Sequence, residues 1–369
     1  MEEDVIIIHI LKLIVYAVLA LMLFFLKMPE NPELKNYVIS RRIIAIAYLC
    51  LVFSNIMHLI MGKRDLTDFS LMNFSARFVF VASLQALLFT YSLITLIDAR
   101  YVTQNRVLKQ LAFISIFYVP ALAGMITNNG EVLQIGVYFF SAYYAFLLFY
   151  YTYVFRKKEK QFHRASDNFF SDDETRRVQW VQTIFYIAVF LIGIWALAVV
   201  VFPKEEWLES LFSIVCIFVY FYFGVKYINY IPDFYVLQPV VLCPDEKEAD
   251  DSTTETSCND GNLTQRLQQW VENKSFTQNG INISDLATQL NTNRTYLSNY
   301  INSREGVNFN TWLNRLRIEE SKAMLLSNPD ISFSELSSNL GYPNQSVFSR
   351  QFSVVEGITP SAWRKNIRC

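Results

Sequence analysis

VIIIHILKLIVYAVLALMLFFL, residues 5–26, is apolar on every side of a helix and carries one formal charge, at Lys12. At about 1.5 Å per residue, about twenty such residues cross the ~30 Å hydrocarbon core of a bilayer. The run follows Glu2, Glu3 and Asp4 rather than basic residues, and no small-residue cleavage site comes after it, so it reads as a retained span and not a signal peptide. Working outward, six more stretches approach the same length: 43–61, 78–97, 108–126, 132–155, 178–202 and 208–231. The 53% hydrophobic content of the 369 residues fits this, since soluble chains hold about 45–50%. The expected class is all-α, with a polytopic transmembrane bundle over residues 1–231.

Lys and Arg in short loops are retained on the cytoplasmic side of a membrane. With seven spans, the loops that share a side with the C-terminus carry fourteen of them, half between Arg156 and Arg177. The other side carries four: Lys63, Arg64, the boundary residue Arg77, and Lys204. This bias predicts an N-terminus outside, a cytoplasmic C-terminus, and a multi-pass protein of a bacterial inner membrane. Trp207 and the tyrosines of the fifth span suit interfacial anchoring and packing.

Polar groups inside spans need partners or water. Asn55 and His58 share one face of the second span near its outer end, Arg77 begins the third at that level, and Gln85 lies two turns deeper. Gln134 and Tyr138 occupy the outer end of the fifth. Together they outline an outward-facing pocket in which Arg77 favours an anionic ligand. The alternative is that Asn55 and His58 bond between helices while Arg77 snorkels to the interface.

Pro232 is expected to end the last span. From there to Asn262 the chain is acidic, with Asp245, Glu246, Glu248, Asp250, Asp251, Glu255 and Asp260 against Lys247. So little apolar surface predicts a flexible linker over 232–262. The five cysteines include no C-x-x-C pair, and none has a histidine partner at metal-ligand spacing, so neither a zinc site nor a disulfide framework is expected.

Helical periodicity returns at Leu263, Leu267, Trp270 and Val271, opening a second domain over 263–369. Ser284 is placed to cap a short helix burying Leu286, Ala287 and Leu290, and a break at Asn291 and Thr292 precedes a second helix with Leu297 and Ile301 inward. Gly306 stops that helix, and Asn308 starts a spacer helix whose Trp312, Leu313, Leu316, Ala323, Leu325 and Leu326 pack on both neighbours. The pattern then repeats. Ser332 and Glu335 form a capping box, Gly341 turns the chain, Val347, Phe348 and Phe352 are buried, and Thr359-Pro360 begins a terminal helix. Two short helices joined by a tight turn form the unit that lays its second helix in a major groove.

These residues resemble the AraC-type regulators over about 281–364. The likeness is carried by 283–290, Tyr296-Leu297-Ser298, 306–309, Arg317-Ile318, 323–326, Gly341-Tyr342, 347–352 and 357–364. The resemblance implies two recognition helices entering successive major grooves of double-stranded DNA. Its outward positions map to Asn293, Arg294, Thr295, Tyr296, Ser298 and Asn299 on the first helix, and to Asn344, Gln345, Ser346, Ser349 and Arg350 on the second. Such side chains suit base edges and phosphates. Ser353 and Val354 stand where the family often has lysines, and residues 263–369 hold eleven basic against eight acidic residues. So mild a charge predicts reliance on a homodimer or paired sites.

The sequence thus points to a membrane-bound, sequence-specific transcription regulator that couples an unknown small-molecule or protein signal to promoter occupancy. RNA polymerase is a candidate partner, and no cofactor, metal or catalytic residue is expected. The alternative is a transporter or membrane receptor bundle with a regulatory DNA-binding appendage. No paired intramembrane carboxylates, nucleophile motif or phosphate-binding glycine loop supports it, and Asp98 lies at a boundary without an evident partner.

Overall fold

The computed structural model describes residues 3–27, 34–60, 67–170, 174–201, 206–242 and 260–368. Nearly all are helical, and outside the helices backbone pairing among the described residues includes one isolated antiparallel bridge, Phe170 to Asn282. The chain divides into two compact units, Met1–Phe162 with Arg176–Leu242, and His163–Thr175 with Cys243–Cys369.

Among the described residues of the first unit, seven helical segments are long and apolar enough to cross a membrane. They are α1 (Glu3–Phe25), α2 (Lys35–Ile60), α3 (Asp68–Thr95), α4 (Gln104–Ile126), α5 (Gly130–Phe169), a sixth built from α6 (Gln179–Ile187), a π-helical turn (Ala188–Gly193) and α7 (Ile194–Val201), and α8 (Glu206–Ile228). All of them but α3 expose large apolar side chains. On α1, Ile7, Leu11, Ile14, Val18, Leu21 and Phe25 form an exposed stripe at helical spacing, while Tyr16, Leu19, Ala20 and Leu23 are buried. A stripe of that length on a water-facing helix would be polar.

Polar side chains and small residues hold the bundle together. Tyr37 donates to the Tyr227 carbonyl at 2.7 Å, Tyr48 to the Tyr220 carbonyl at 2.7 Å, and Ser40 to the Ser92 carbonyl at 2.6 Å, which ties α2 to α8 and α3. A Cβ at Gly124 would collide with Leu133, and one at Gly136 with Ala121, so α4 and α5 meet backbone to backbone. Small residues at such crossings are how helices associate where burial from water supplies no drive.

Three expectations are corrected here. The fifth helix does not end near Phe155 but runs to Phe169, because the Arg156–Lys160 run stops the apolar signal without stopping the helix. Pro232 does not terminate helical structure. It sits in the first turn of a further helix, α9 (Ile231–Leu242), where its missing N–H costs nothing, and Phe234, Leu237, Val240 and Val241 of α9 are buried. Residues 243–259 of the expected linker lie outside the described residues, as do Lys63, Arg64 and Lys204. Asp98 has partners after all: Lys158 pairs with it at 2.7 Å and the Arg100 N–H donates to it at 3.0 Å.

The second unit comprises α10 (Asp260–Glu272), α11 (Ile283–Gln289), α12 (Arg294–Glu305), α13 (Phe309–Ser327), α14 (Phe333–Asn339), α15 (Gln345–Glu356) and α16 (Pro360–Arg368). Leu263, Trp270, Leu286, Leu297 and Trp312 are buried, and the rings of Trp270 and Trp312 stack at 6.0 Å. Ile318, Leu336, Phe348 and Phe352 belong to a second apolar cluster. On α13 the buried face runs through Leu313, Arg317, Ser321 and Leu325, whereas Leu326 is 64% exposed and Ala323 is exposed, against expectation.

Candidate nucleic-acid interface

α11–α12 and α14–α15 are two copies of one device. In the first, the Leu290 N–H donates to the Leu286 carbonyl, Asn291 takes a left-handed φ of 48°, and the Thr292 N–H returns to the Ala287 carbonyl at 2.9 Å. In the second, Leu340 donates to Leu336, Gly341 has a φ of 75°, and the Tyr342 N–H returns to the Ser337 carbonyl at 2.9 Å. A side-chain cap starts each of these four helices. Ser332 Oγ accepts the Glu335 N–H at 3.1 Å, one half of the expected capping box, but in the first copy Asn282 rather than Ser284 is the cap, accepting the Ser284 and Asp285 N–H groups at 3.0 and 2.9 Å. Gly306 and Gly357, with φ of 68° and 73°, end α12 and α15.

What fixes the copies against each other is a residue whose role the sequence reading missed. Arg317, fully buried in α13, donates from Nε to the Phe276 carbonyl at 2.9 Å and from Nη2 to the Gln278 carbonyl at 2.6 Å, with its guanidinium 5.1 Å from the Tyr342 ring centroid. Tyr342 Oη in turn donates to Asn314 at 2.9 Å. Gly341 presses on the same loop, where a Cβ would collide with the Thr277 and Gln278 carbonyls. The turn of the second copy is therefore seated on the loop that leads into the first copy. The i, i+4 series Leu313, Arg317, Ser321, Leu325 was the signal that could have placed Arg317 inward.

A family whose sequence model is described as a helix-turn-helix domain matches residues 286–366. The C-terminal region carries an AraC-type helix-turn-helix domain. The chain is similar to the regulatory protein PocR of Salmonella typhimurium, at 27% identity over 34% of this chain and 40% of that protein. It is also similar to the Msm operon regulatory protein of Streptococcus mutans, at 30% identity over 24% of this chain and 31% of that one. A third relative is the raffinose operon transcriptional regulatory protein RafR of Pediococcus pentosaceus, at 32% identity over 24% of this chain and 31% of its own length. The chain thus spans about two fifths or less of each of these relatives. No solved structure matches.

In the AraC-type domain, Asn293, Asn299, Asn344, Gln345 and Ser346 are exposed, and Arg294, Thr295, Tyr296, Ser349 and Arg350 are half-buried. Ser298 is not an outward residue. It is 2% exposed, because it lies three residues before Ile301 and shares that inward face. Asn293 and Asn344 are the N-caps of α12 and α15, their oxygens accepting the Tyr296 and Val347 N–H groups at 2.7 and 3.0 Å. Their amide N–H groups are what remains to offer a base or phosphate.

Two further contacts bear on the recognition helices. Lys322 of α13 bridges Glu319 at 2.7 Å and Glu356, the last residue of α15, at 3.1 Å; the hydrogen bond to Glu319 raises its pKa above the ordinary lysine value. Residues 163–170, which belong to this unit, lie against the first copy. Asn310 donates to the Phe170 carbonyl at 3.1 Å, Phe170 bridges to Asn282, and the Arg294 guanidinium sits 5.6 Å from the Phe169 ring centroid.

The residues expected to line a ligand pocket divide in two. Asn55, His58, Arg77 and Gln85 line one cavity of about 790 Å³ inside the first unit. Gln134 and Tyr138 do not, since α5 turns Leu133, Val137 and Phe140 inward and leaves Gln134 exposed and Tyr138 52% exposed. Asn55 also bonds between helices, donating to the His9 carbonyl at 2.6 Å and meeting His9 Nδ1 at 2.9 Å.

Proposed function

We propose that the chain is a membrane-embedded, sequence-specific transcription regulator. In this reading the first unit spans the membrane, and residues 263–369 read DNA on the cytoplasmic side, the two joined by the acidic segment after α9. One observation carries it: a paired set of helix-turn-helix units, locked through Arg317 and Gly341, shares a polypeptide with seven helical segments long and apolar enough to cross a membrane among the described residues. The arrangement of Lys and Arg supports a cytoplasmic C-terminus, the side on which DNA lies.

The residues offered to DNA are Arg294, Thr295, Tyr296 and Asn299 of α12 and Gln345, Ser346, Ser349 and Arg350 of α15, with the cap amides of Asn293 and Asn344. The modest positive charge makes two copies on paired half-sites the working form, with RNA polymerase as the further partner.

The test is a gel shift of the full chain in lipid nanodiscs on the DNA upstream of its own gene. Sequence-specific retention that weakens steeply with salt is expected. Absence of a specific shift, even when the chain is tethered as a dimer, refutes the DNA-reading half.

A further inference from the structure

The cavity in the bundle lies among α1, α2, α3, α5, the sixth span and α8. Its size falls within the ~300–1,000 Å³ of small-molecule sites. One end is polar: His9 and His58 face each other with ring centroids 4.3 Å apart, and Lys12 donates to Ser213 at 3.1 Å. Below this the rings of Phe74, Phe78 and Phe212 follow at 5.8 and 5.7 Å, and Tyr16 and Tyr220 meet at 5.5 Å near the floor. Among the described residues, the lining includes the cations Lys12 and Arg77 and no Asp or Glu.

Two features make this more than a packing fault. Gln85 is 6% exposed and spends its amide N–H on the Ala47 carbonyl at 2.8 Å, while its Oε1 has no hydrogen-bond partner. A buried acceptor left unsatisfied costs about 1–3 kcal/mol unless something donates to it. The π-helical turn Ala188–Gly193, a local widening of the helix of a kind that recurs at functional sites, also lines the cavity.

We propose that the cavity binds a small anionic amphiphile: an acidic head at the Lys12 and Arg77 end, a hydrogen-bond donor that reaches Gln85 Oε1, and an apolar body against the phenylalanines and the π-turn. This deepens the reading of the bundle as the sensing half and rests on it for its consequence at DNA.

The experiment measures equilibrium binding of radiolabelled 12-hydroxydodecanoate, dodecanoate, dodecanol and dodecylammonium to the full chain in zwitterionic nanodiscs. Saturable binding of the two anions at about one per chain is expected, with the hydroxylated one tighter, dodecanol at least tenfold weaker, and no saturable binding of the cation. Lys12→Met and Arg77→Met should each weaken the anions about tenfold, and Gln85→Met should abolish the preference for the hydroxylated probe. The comparison of probes on the unaltered chain does not depend on any variant folding. Repeating it with phosphatidylglycerol in the disc identifies the source. Displacement of the probe assigns the site to a bilayer lipid headgroup, and no displacement assigns it to a free amphiphile; either upholds the anionic class. Unsaturable partitioning, or equal binding whatever the head charge, overturns the proposal. The gel shift is read separately in the same discs, so a lost cavity with intact DNA binding is distinguishable from lost DNA binding with an intact cavity.

Discussion

Replacing Gly341 by alanine tests whether the two helix-turn-helix units are locked by the packing of one turn on one loop. The residue has a φ of 75°, and a left-handed conformation costs an alanine about 1–2 kcal/mol. The added methyl would also strike the Thr277 and Gln278 carbonyls. These cannot retreat freely, because Arg317 holds the neighbouring carbonyls of Phe276 and Gln278 at 2.9 and 2.6 Å. Forcing a methyl into such a contact costs about 1–3 kcal/mol more. The sum, about 2–5 kcal/mol, is a large part of the ~5–15 kcal/mol that holds a domain folded.

Asn291 supplies the control, since it occupies the equivalent turn of the first unit with a φ of 48° but is exposed. Asn291→Ala should pay for the left-handed backbone alone. Hydrogen exchange on the full chain in nanodiscs, read by mass spectrometry over α11 to α15, gives the opening free energies of both variants. Gly341→Ala is expected to lower protection across both helix-turn-helix copies, by about 1–3 kcal/mol more than Asn291→Ala, a gap of roughly five- to 150-fold in the opening equilibrium. Equal losses in the two variants, or a loss confined to α14 and α15, would refute the locking argument.

Arg317→Met should destabilise the same unit by about 3 kcal/mol in the same exchange experiment, since two carbonyls lose a charged donor, and Arg317→Lys should not restore it because one ammonium does not reproduce the planar fork. Arg350→Ala is expected to weaken specific DNA binding by about 1–3 kcal/mol in salt-titrated gel shifts, whereas Ser298→Ala, at a buried position, should leave the DNA contacts themselves unchanged. Lys322 has a raised pKa, so its bridges to Glu319 and Glu356 should contribute fully below the unfolded lysine value of about 10.4 and be lost as pH rises through the higher folded value; the stability difference between wild type and Lys322→Met, measured at pH values on either side, should shrink in alkali. A reporter fused after Cys369 should be active in the cytoplasm, and a periplasmic signal would rule out access to a promoter.

Local chemistry made most of the C-terminal domain legible. Ser332, Asn308 and Thr359 cap the helices expected of them, and Gly306 and Gly341 take the left-handed turns, because each of these is settled within four residues of itself. The misreadings share the opposite property. Asp98 looked isolated because its partner Lys158 is sixty positions away on another helix. The end of α5 was misplaced because apolarity marks where a span leaves hydrocarbon and not where its hydrogen-bonded helix stops; Arg156 to His163 are not helix breakers. Ser284 and Asn282 are both competent caps two positions apart, and only the backbone register chooses between them.

The cavity exposes a deeper asymmetry between the two units. In water a buried face is the apolar face, so the spacing of Leu313, Arg317, Ser321 and Leu325 points inward even when one member is charged. In the bundle both faces are apolar, and periodicity no longer distinguishes the interior from the surroundings. Gln134 and Tyr138 were therefore as eligible as Asn55 and Gln85 on sequence grounds, yet α5 presents Leu133 and Val137 inward while α2 and α3 present their polar residues to the interior. What separates the pairs is the identity of the neighbouring helix. Asn55 meets the α1 backbone at His9 and Gln85 meets the α2 backbone at Ala47, so each is held by a hydrogen bond that exists only once two helices have packed. A polar residue in a span thus marks a place where something must be met, and the fold decides whether that is a helix, a ligand or, at Gln85, a helix on its amide nitrogen and a ligand on its oxygen.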